Sequence, residues 1–194
     1  MQNFLKDTLG KDKGKKIYSL QQIRLEELLN KTTGKTKKQM KTLRVTIMPR
    51  IALYQILQES GLEQQEAYDI VKSYMVDVVC KRMSRQFRKL DKLPFLYSIV
   101  KRYVMGNLLK GENWKAKLIH ADGKSFTMHI NKCLWYDATV ENGCPELCRV
   151  FCECDDINFA VFSRVEFYRE GTLGMGADKC NFTFRKAGKR RSAN

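Results

Sequence analysis

The chain has 194 residues, of which 36 are Lys or Arg and 21 are Asp or Glu, giving a formal net charge of +15. That length suits one domain with a sizeable core. The charge favours anionic partners: a small anionic substrate, or nucleic acid held weakly and non-specifically through a basic arm.

No apolar run approaches membrane-spanning length, so no membrane partner is expected. The start MQNFLKDTLGKDKGKK has no apolar leader, and the chain has seven cysteines, an odd number. Both features point to reduced thiols and a cytoplasmic protein rather than to a disulfide framework.

Residues 1–44 are rich in Lys and broken by Gly10, Gly14 and Gly34, and they read as a basic N-terminal arm. Within the arm, residues 17–29 fit an amphipathic helix with Ile17, Leu20, Ile23 and Leu28 on one side. Residues 32–41 read as a linker. Only Phe4 and Tyr18 are aromatic in the arm, so a stacking platform for bases is missing.

A short helix follows over residues 49–59, with Ile51, Leu53, Tyr54 and Leu57 on its apolar side. Ser60 to Glu63 has capping-box spacing and opens a long helix over residues 63–89. Ala67, Ile70, Val71, Tyr74, Met75, Val78, Val79, Met83 and Phe87 recur there with a 3.6-residue period. Cys80, beside that stripe, reads as core filling. Pro94 suits the first turn of a third helix, which runs to about Leu109.

The period then changes to two. Trp114, Ala116 and Leu118 alternate, as do Phe126, Met128 and Ile130, around Asp122-Gly123. A three-residue loop, Ala121-Asp122-Gly123 with Gly123 left-handed, pairs Leu118 with Phe126, Ala116 with Met128 and Trp114 with Ile130. All six then share one face. His129 falls on the other face and reads as a surface residue.

Residues 131–140 turn from strand to helix at Cys133. Pro145 opens a helix to about Cys152, and Asp155 or Asp156 caps another carrying Ile157, Phe159 and Val161. Residues 165–173 and 179–185 form a final antiparallel hairpin, and residues 187–194 are a basic tail. The expected fold class is α+β, with N-terminal helices packed on an antiparallel sheet and short helices inserted before the last hairpin. Residues 45–186 form its single domain.

Six of the seven cysteines lie between Asn131 and Lys186. Cys144, Cys148 and Cys152 recur every four residues, one face of a helix, and Asp155 follows three residues later. Cysteine chemistry needs a thiolate, access and proton management. Cys133 is the best nucleophile candidate, because a helix N-terminus and Lys132 lower a thiol pKa. Cys152 is disfavoured by Glu153, Asp155 and Asp156 and serves as a partner, with Asp155 as proton acceptor. Cys144, Cys148 and Cys154 read as core. C-x3-C-x3-C matches no common zinc or iron–sulfur spacing, so neither a metal nor another cofactor is expected.

The ordered set Cys133-x-Trp135-Tyr136, Gly143-Cys144-Pro145-Glu146-Leu147, Cys152-x-x-Asp155, Thr172-Leu173 and Gly176-x-Asp178-x-Cys180-x-Phe182 resembles the L-2-amino-thiazoline-4-carboxylic acid hydrolase family. Asn181 departs from it, where an acidic residue is expected. The resemblance implies hydrolysis of 2-amino-thiazoline-4-carboxylate to N-carbamoyl-cysteine, with Cys133, Cys152, Asp155 and Cys180 as catalytic residues. Tyr136, Arg164 and Lys179 are the candidates for holding the substrate.

The chain also resembles, more distantly, the 4-vinyl-reductase-like sensor domains, which bind small molecules and hold zinc through cysteines and a glutamate. In that pattern a Glu and a Cys lie eleven and eight residues before the counterpart of Cys180. Here those positions are Arg169 and Thr172. Two of four zinc ligands are thus missing, which favours free thiols; the alternative function is a non-catalytic small-molecule-binding or sensor domain, with a cysteine-bound zinc as one option. The oligomeric state is open, with a homodimer among the options.

Overall fold

The computed structural model describes residues 1–188, so residues 189–194 of the expected basic tail lie outside the described residues. The fold class is α+β, with one four-stranded antiparallel sheet. The first half is helical: α1 (Gln2–Leu9), α2 (Lys11–Lys31), α3 (Lys37–Val45), α4 (Met48–Glu59) and α5 (Gln64–Ser73). A π-helical segment, Tyr74–Cys80, runs straight into α6 (Lys81–Leu90), and α7 (Leu96–Lys110) follows.

Residues 1–44 are folded rather than loose. Leu5, Ile17, Leu25, Leu28, Leu29 and Leu43 are buried in one cluster with Ile51, Leu53 and Leu57 of α4. Gly14 lets α1 lie against α2, since a Cβ there would fall 2.4 Å from the Leu5 carbonyl oxygen. Ile23, expected on the buried side of α2, is 59% exposed, and Gln21 is buried in its place.

The expected linker at 32–41 contains the start of α3. Thr36 caps that helix by accepting from Gln39 N–H, and the Gln39 side chain accepts from Thr36 N–H. The capping box of α5 also sits elsewhere than expected. Glu63 is the capping residue and pairs reciprocally with Glu66, whereas Ser60 ends α4.

The sheet has the order β1-β2-β4-β3, from β1 (Trp114–Ala121), β2 (Ser125–Cys133), β3 (Val165–Tyr168) and β4 (Cys180–Lys186). The hairpin at Asp122-Gly123 is present, but its register differs from the expected one. Leu118 pairs with Met128, Ala116 with Ile130 and Ala121 with Phe126. The Asp122 carboxylate accepts from Lys124 and Ser125 N–H at 2.6 Å each, and Asp122 N–H donates to the Ser125 carbonyl at 2.9 Å, closing the turn one residue later than expected. Gly123 is not left-handed. The slip is by two residues, so the apolar sets keep their shared face. The register also shifts between Lys115 and Ala116 and between Leu118 and His120.

Leu96, Val100, Val104 and Leu108 of α7 cover the sheet over Phe126, Met128, Ile130 and Phe184 in a second cluster. Of the N-terminal helices, α7 is therefore the one that packs broadly on the sheet. Between β2 and β3 lie α8 (Leu134–Glu141), a short 3-10 turn (Pro145–Leu147) and α9 (Cys148–Phe159). α9 runs unbroken through Asp155 and Asp156, where a helix start had been expected. It belongs to both clusters: Val150 and Cys154 enter the first, and Phe159 packs edge-on against Phe184 of the sheet at 5.0 Å. Among the described residues no helix is long and apolar enough to cross a membrane.

Candidate active site

The helical cluster and the sheet meet where β2 ends, β4 begins and α9 passes between them. Cys133 is the last residue of β2 and the residue before α8, as its sequence context predicts. Cys148, Cys152 and Asp155 ride on α9. Cys180 opens β4 and accepts a 3.3 Å hydrogen bond from Leu173 N–H.

The turn Leu173–Met175 crosses α9 at Gly174. A Cβ there would lie 2.9 Å from Cys148 Sγ and 3.1 Å from Cys152 Sγ. Only a glycine lets this turn close over the two sulfurs. All seven cysteines are free thiols.

From β3 the chain sends Arg169 back to α9. Its Nη2 donates to the Cys152 carbonyl at 2.8 Å and to the Asp156 carboxylate. The guanidinium also stands over the Phe167 ring, 5.8 Å from its centroid. Asn181 fixes the start of the same loop. Its Oδ1 accepts from Glu170 and Gly171 N–H at 2.8 and 3.1 Å. An amide oxygen thus meets both backbone donors here without a carboxylate.

The thiols are electrostatically unlike. Cys152 is pulled down to about 6. The largest cause is the Cys148 thiol, which donates to its sulfur. The Thr172 hydroxyl, Arg169 and the Gly174 N–H add to the effect, against burial. Cys148 is correspondingly pushed up, by that same shared proton and by burial. Burial drives Cys133 up to about 12, overriding the Tyr136 and Trp135 N–H groups that face its sulfur from the helix start. Burial likewise raises Cys180 to about 11, against the Leu173 N–H. Asp155 is raised to about 7, first by burial and then by the Cys152 thiolate, with Arg169 opposing.

The expected order of the two leading cysteines is thus reversed. A helix N-terminus does act on Cys133, but removal from water outweighs it. Cys152 gains a thiol donor and a guanidinium that outweigh the neighbouring carboxylates. Cys133, Cys180 and Asp155 each feel the charge of Cys152.

Of the expected substrate-holding residues, one is engaged elsewhere and one faces solvent. Arg164 donates to the Asp91 and Leu93 carbonyls at 3.0 and 3.3 Å, tying down the loop before α7. Lys179 is exposed in the bend before β4. Tyr136 reaches the site through its backbone N–H at Cys133.

Cys148, Arg169 and Thr172 stand beside Cys152 in addition to the residues the sequence points to. The four-residue spacing of Cys148 and Cys152 was a usable signal for the first. The other two occupy the places where the sensor pattern has its Glu and Cys. Arg169 therefore puts a fixed positive charge beside Cys152, where that pattern has a metal-binding carboxylate. Among the described residues no group of three or more His, Cys, Asp or Glu side chains is disposed to hold a metal ion.

An α+β fold with thiols of opposed acidity gathered at the helix–sheet junction defines the class of the molecule. The chain belongs to the L-2-amino-thiazoline-4-carboxylic acid hydrolase family, whose model matches residues 39–184. No curated protein and no solved structure matched the chain.

Proposed function

We propose that the protein hydrolyses a small cyclic amidine acid, with 2-amino-thiazoline-4-carboxylate as the reference substrate and Cys152 as the nucleophile. The observation that carries this reading is the setting of Cys152, whose carbonyl holds Arg169 and whose sulfur lies under Gly174 beside Cys148; these neighbours pull its thiol down, while burial pushes the nearby Asp155 up to about 7. At neutral pH that pairs a thiolate with a carboxyl still able to give a proton. Family membership supports the hydrolytic class.

In this mechanism Cys152 Sγ attacks the carbon between ring sulfur and ring nitrogen. The carbon–sulfur bond breaks, and the departing sulfur takes a proton from Asp155. An isothiourea remains on Cys152. Water then adds to the same carbon; one of its protons ends on the amidine nitrogen and the other on Asp155. The Cys152 thiolate leaves, and the product is N-carbamoyl-cysteine. Cys148 returns its hydrogen bond to the thiolate. Cys133 and Cys180 serve as neutral walls.

The test follows thiol release from the thiazoline acid by the purified protein. Cys152→Ser should lose about a thousandfold or more, while Cys133→Ser keeps measurable turnover. The reverse ranking would move the nucleophile to Cys133. Absent turnover of the acid and of related heterocycles, with binding retained, would leave the non-catalytic binding reading.

A further inference from the structure

We infer that Arg169 and Thr172 form a carboxylate subsite beside Cys152, in which Arg169 Nη1 and the Thr172 hydroxyl donate to the two oxygens of a small carboxylic acid. The inference deepens the proposed function by assigning the acid group of the ligand, and it rests on that reading for the identity of the reacting sulfur.

Two atoms carry it. The Arg169 side chain is 7% exposed, and its Nη1 is buried with no hydrogen-bond partner. Thr172 is 0% exposed, and its Oγ1 is buried with no full hydrogen bond, although it faces the Cys152 sulfur. Buried donors are paired as a rule, so each exception calls for a cause. Here two such donors fall within four residues of chain: Thr172 faces the Cys152 sulfur, and Arg169 holds the Cys152 carbonyl and acts on the sulfur through its charge.

The fork of Arg169 is half used. Nη2 is engaged by the Cys152 carbonyl and by Asp156, which reaches it from the solvent side with its own side chain 51% exposed. Nη1 is left. A guanidinium donates along parallel N–H bonds that match the spacing of carboxylate oxygens. Thr172 Oγ1 has the Cys152 sulfur as its polar neighbour, so a ligand held there lies against the thiolate. Leu173 and Gly174, the next two residues, close over the same sulfurs. Asp155 and Asp156 are the anionic groups nearby. Asp156 is satisfied by Arg169, and Asp155 is largely protonated below about pH 7.

The inference is tested without any turnover. Cys152 is alkylated in the intact protein by iodoacetate, which carries a carboxylate, and by neutral iodoacetamide. The modified residue is read by peptide mass spectrometry. An unassisted thiolate reacts faster with the neutral reagent. The subsite should reverse that order in the wild type, with saturation in iodoacetate and protection by thiazolidine-4-carboxylate.

Both reagents consume the same thiolate, so their rate ratio is independent of the Cys152 pKa. Arg169→Gln should lower the ratio by about tenfold or more, and Thr172→Val should lower it by less. A wild-type ratio below one without saturation, or a ratio unchanged in Arg169→Gln, overturns the subsite. The wild-type measurement decides even if a variant fails to fold. A reversed ratio in a protein that never opens the thiazoline ring would keep the subsite and reject the hydrolase. Turnover with unselective alkylation would do the opposite.

Discussion

Cys152 and Asp155 titrate on either side of a narrow window, and the reaction needs them in opposite states. Attack needs Cys152 ionised, which holds above about 6. Proton donation needs Asp155 neutral, which holds below about 7. The rate kcat/KM should therefore rise with pH through the lower value and fall through the upper one. The two groups interact, so the limbs belong to the pair. A pH–rate profile checks this, and Asp155→Asn should lose the falling limb along with most of the rate. A profile that keeps rising beyond pH 8 would remove Asp155 from the proton path.

Spacing made part of this site legible, because Cys152 and Asp155 had to share a face once one helix carried both. The acidity of Cys133 was not legible. Its helix start is local and visible, but the burial that overrides it comes from strands and turns far along the chain. Arg169 and Thr172 were visible as positions in family patterns, but their roles were hidden for the same reason: their neighbours on α9 lie well upstream.

At the scale of elements, the π-helical segment Tyr74–Cys80 explains where the long apolar stripe loses its phase. Ala67, Val71, Tyr74 and Met75 are buried as the 3.6-residue period demands. Beyond them Val78 and Met83 are 38% and 39% exposed, while Cys80 and Ser84 face inward. One wide turn has rotated the following helix by about one residue. That rotation lets Ser84 donate to Asn158 Oδ1 at 3.3 Å and sets Cys80 beside Asn158 and Cys154 on α9.

Deleting Asp77, whose side chain is half exposed, should restore a regular helix and leave Cys80 and Ser84 facing inward, because it removes the one residue the wide turn adds. The melting temperature should then stay close to the full chain's, whereas inserting one alanine there should turn Cys80 and Ser84 away by about 100° and lower it by several degrees. A melting curve unchanged by the insertion would show that the phase of this helix is incidental. The period gave the existence and extent of this helix, because amphipathic spacing is a local property. It did not give the wide turn, which packing against α9 selects. In the hairpin, the two-residue slip has a similar origin: the apolar pattern fixes the face, and the Asp122 turn and the shift at Ile119 fix the partner.

Over the whole molecule, the helical cluster and the sheet cluster share α9, and the thiols sit at their seam. Residues 1–44 therefore act as part of the support rather than as an appendage. Removing residues 1–31 would uncover Ile51, Leu53 and Leu57 of α4, which are 0% exposed in the intact chain. The shortened protein should lose its cooperative thermal transition, followed by circular dichroism. A truncated chain that melts like the full one would restore the picture of a detachable arm. The amphipathic period of α2 was readable, but its partner was not, because α4 had to be placed before the buried side of α2 could be assigned.

The outer strands of the sheet have a consequence for behaviour in concentrated solution. β1 leaves Leu118 and Ile119 exposed at the rim. Yet its register shifts twice, with Lys117 between the shifts and Lys115 just before the first. β3, at the opposite rim, is four residues long. Neither rim offers a straight row of free amides onto which a second chain could zip. Sticky side chains at the border are thus kept from seeding fibrils by a crooked, positively charged backbone.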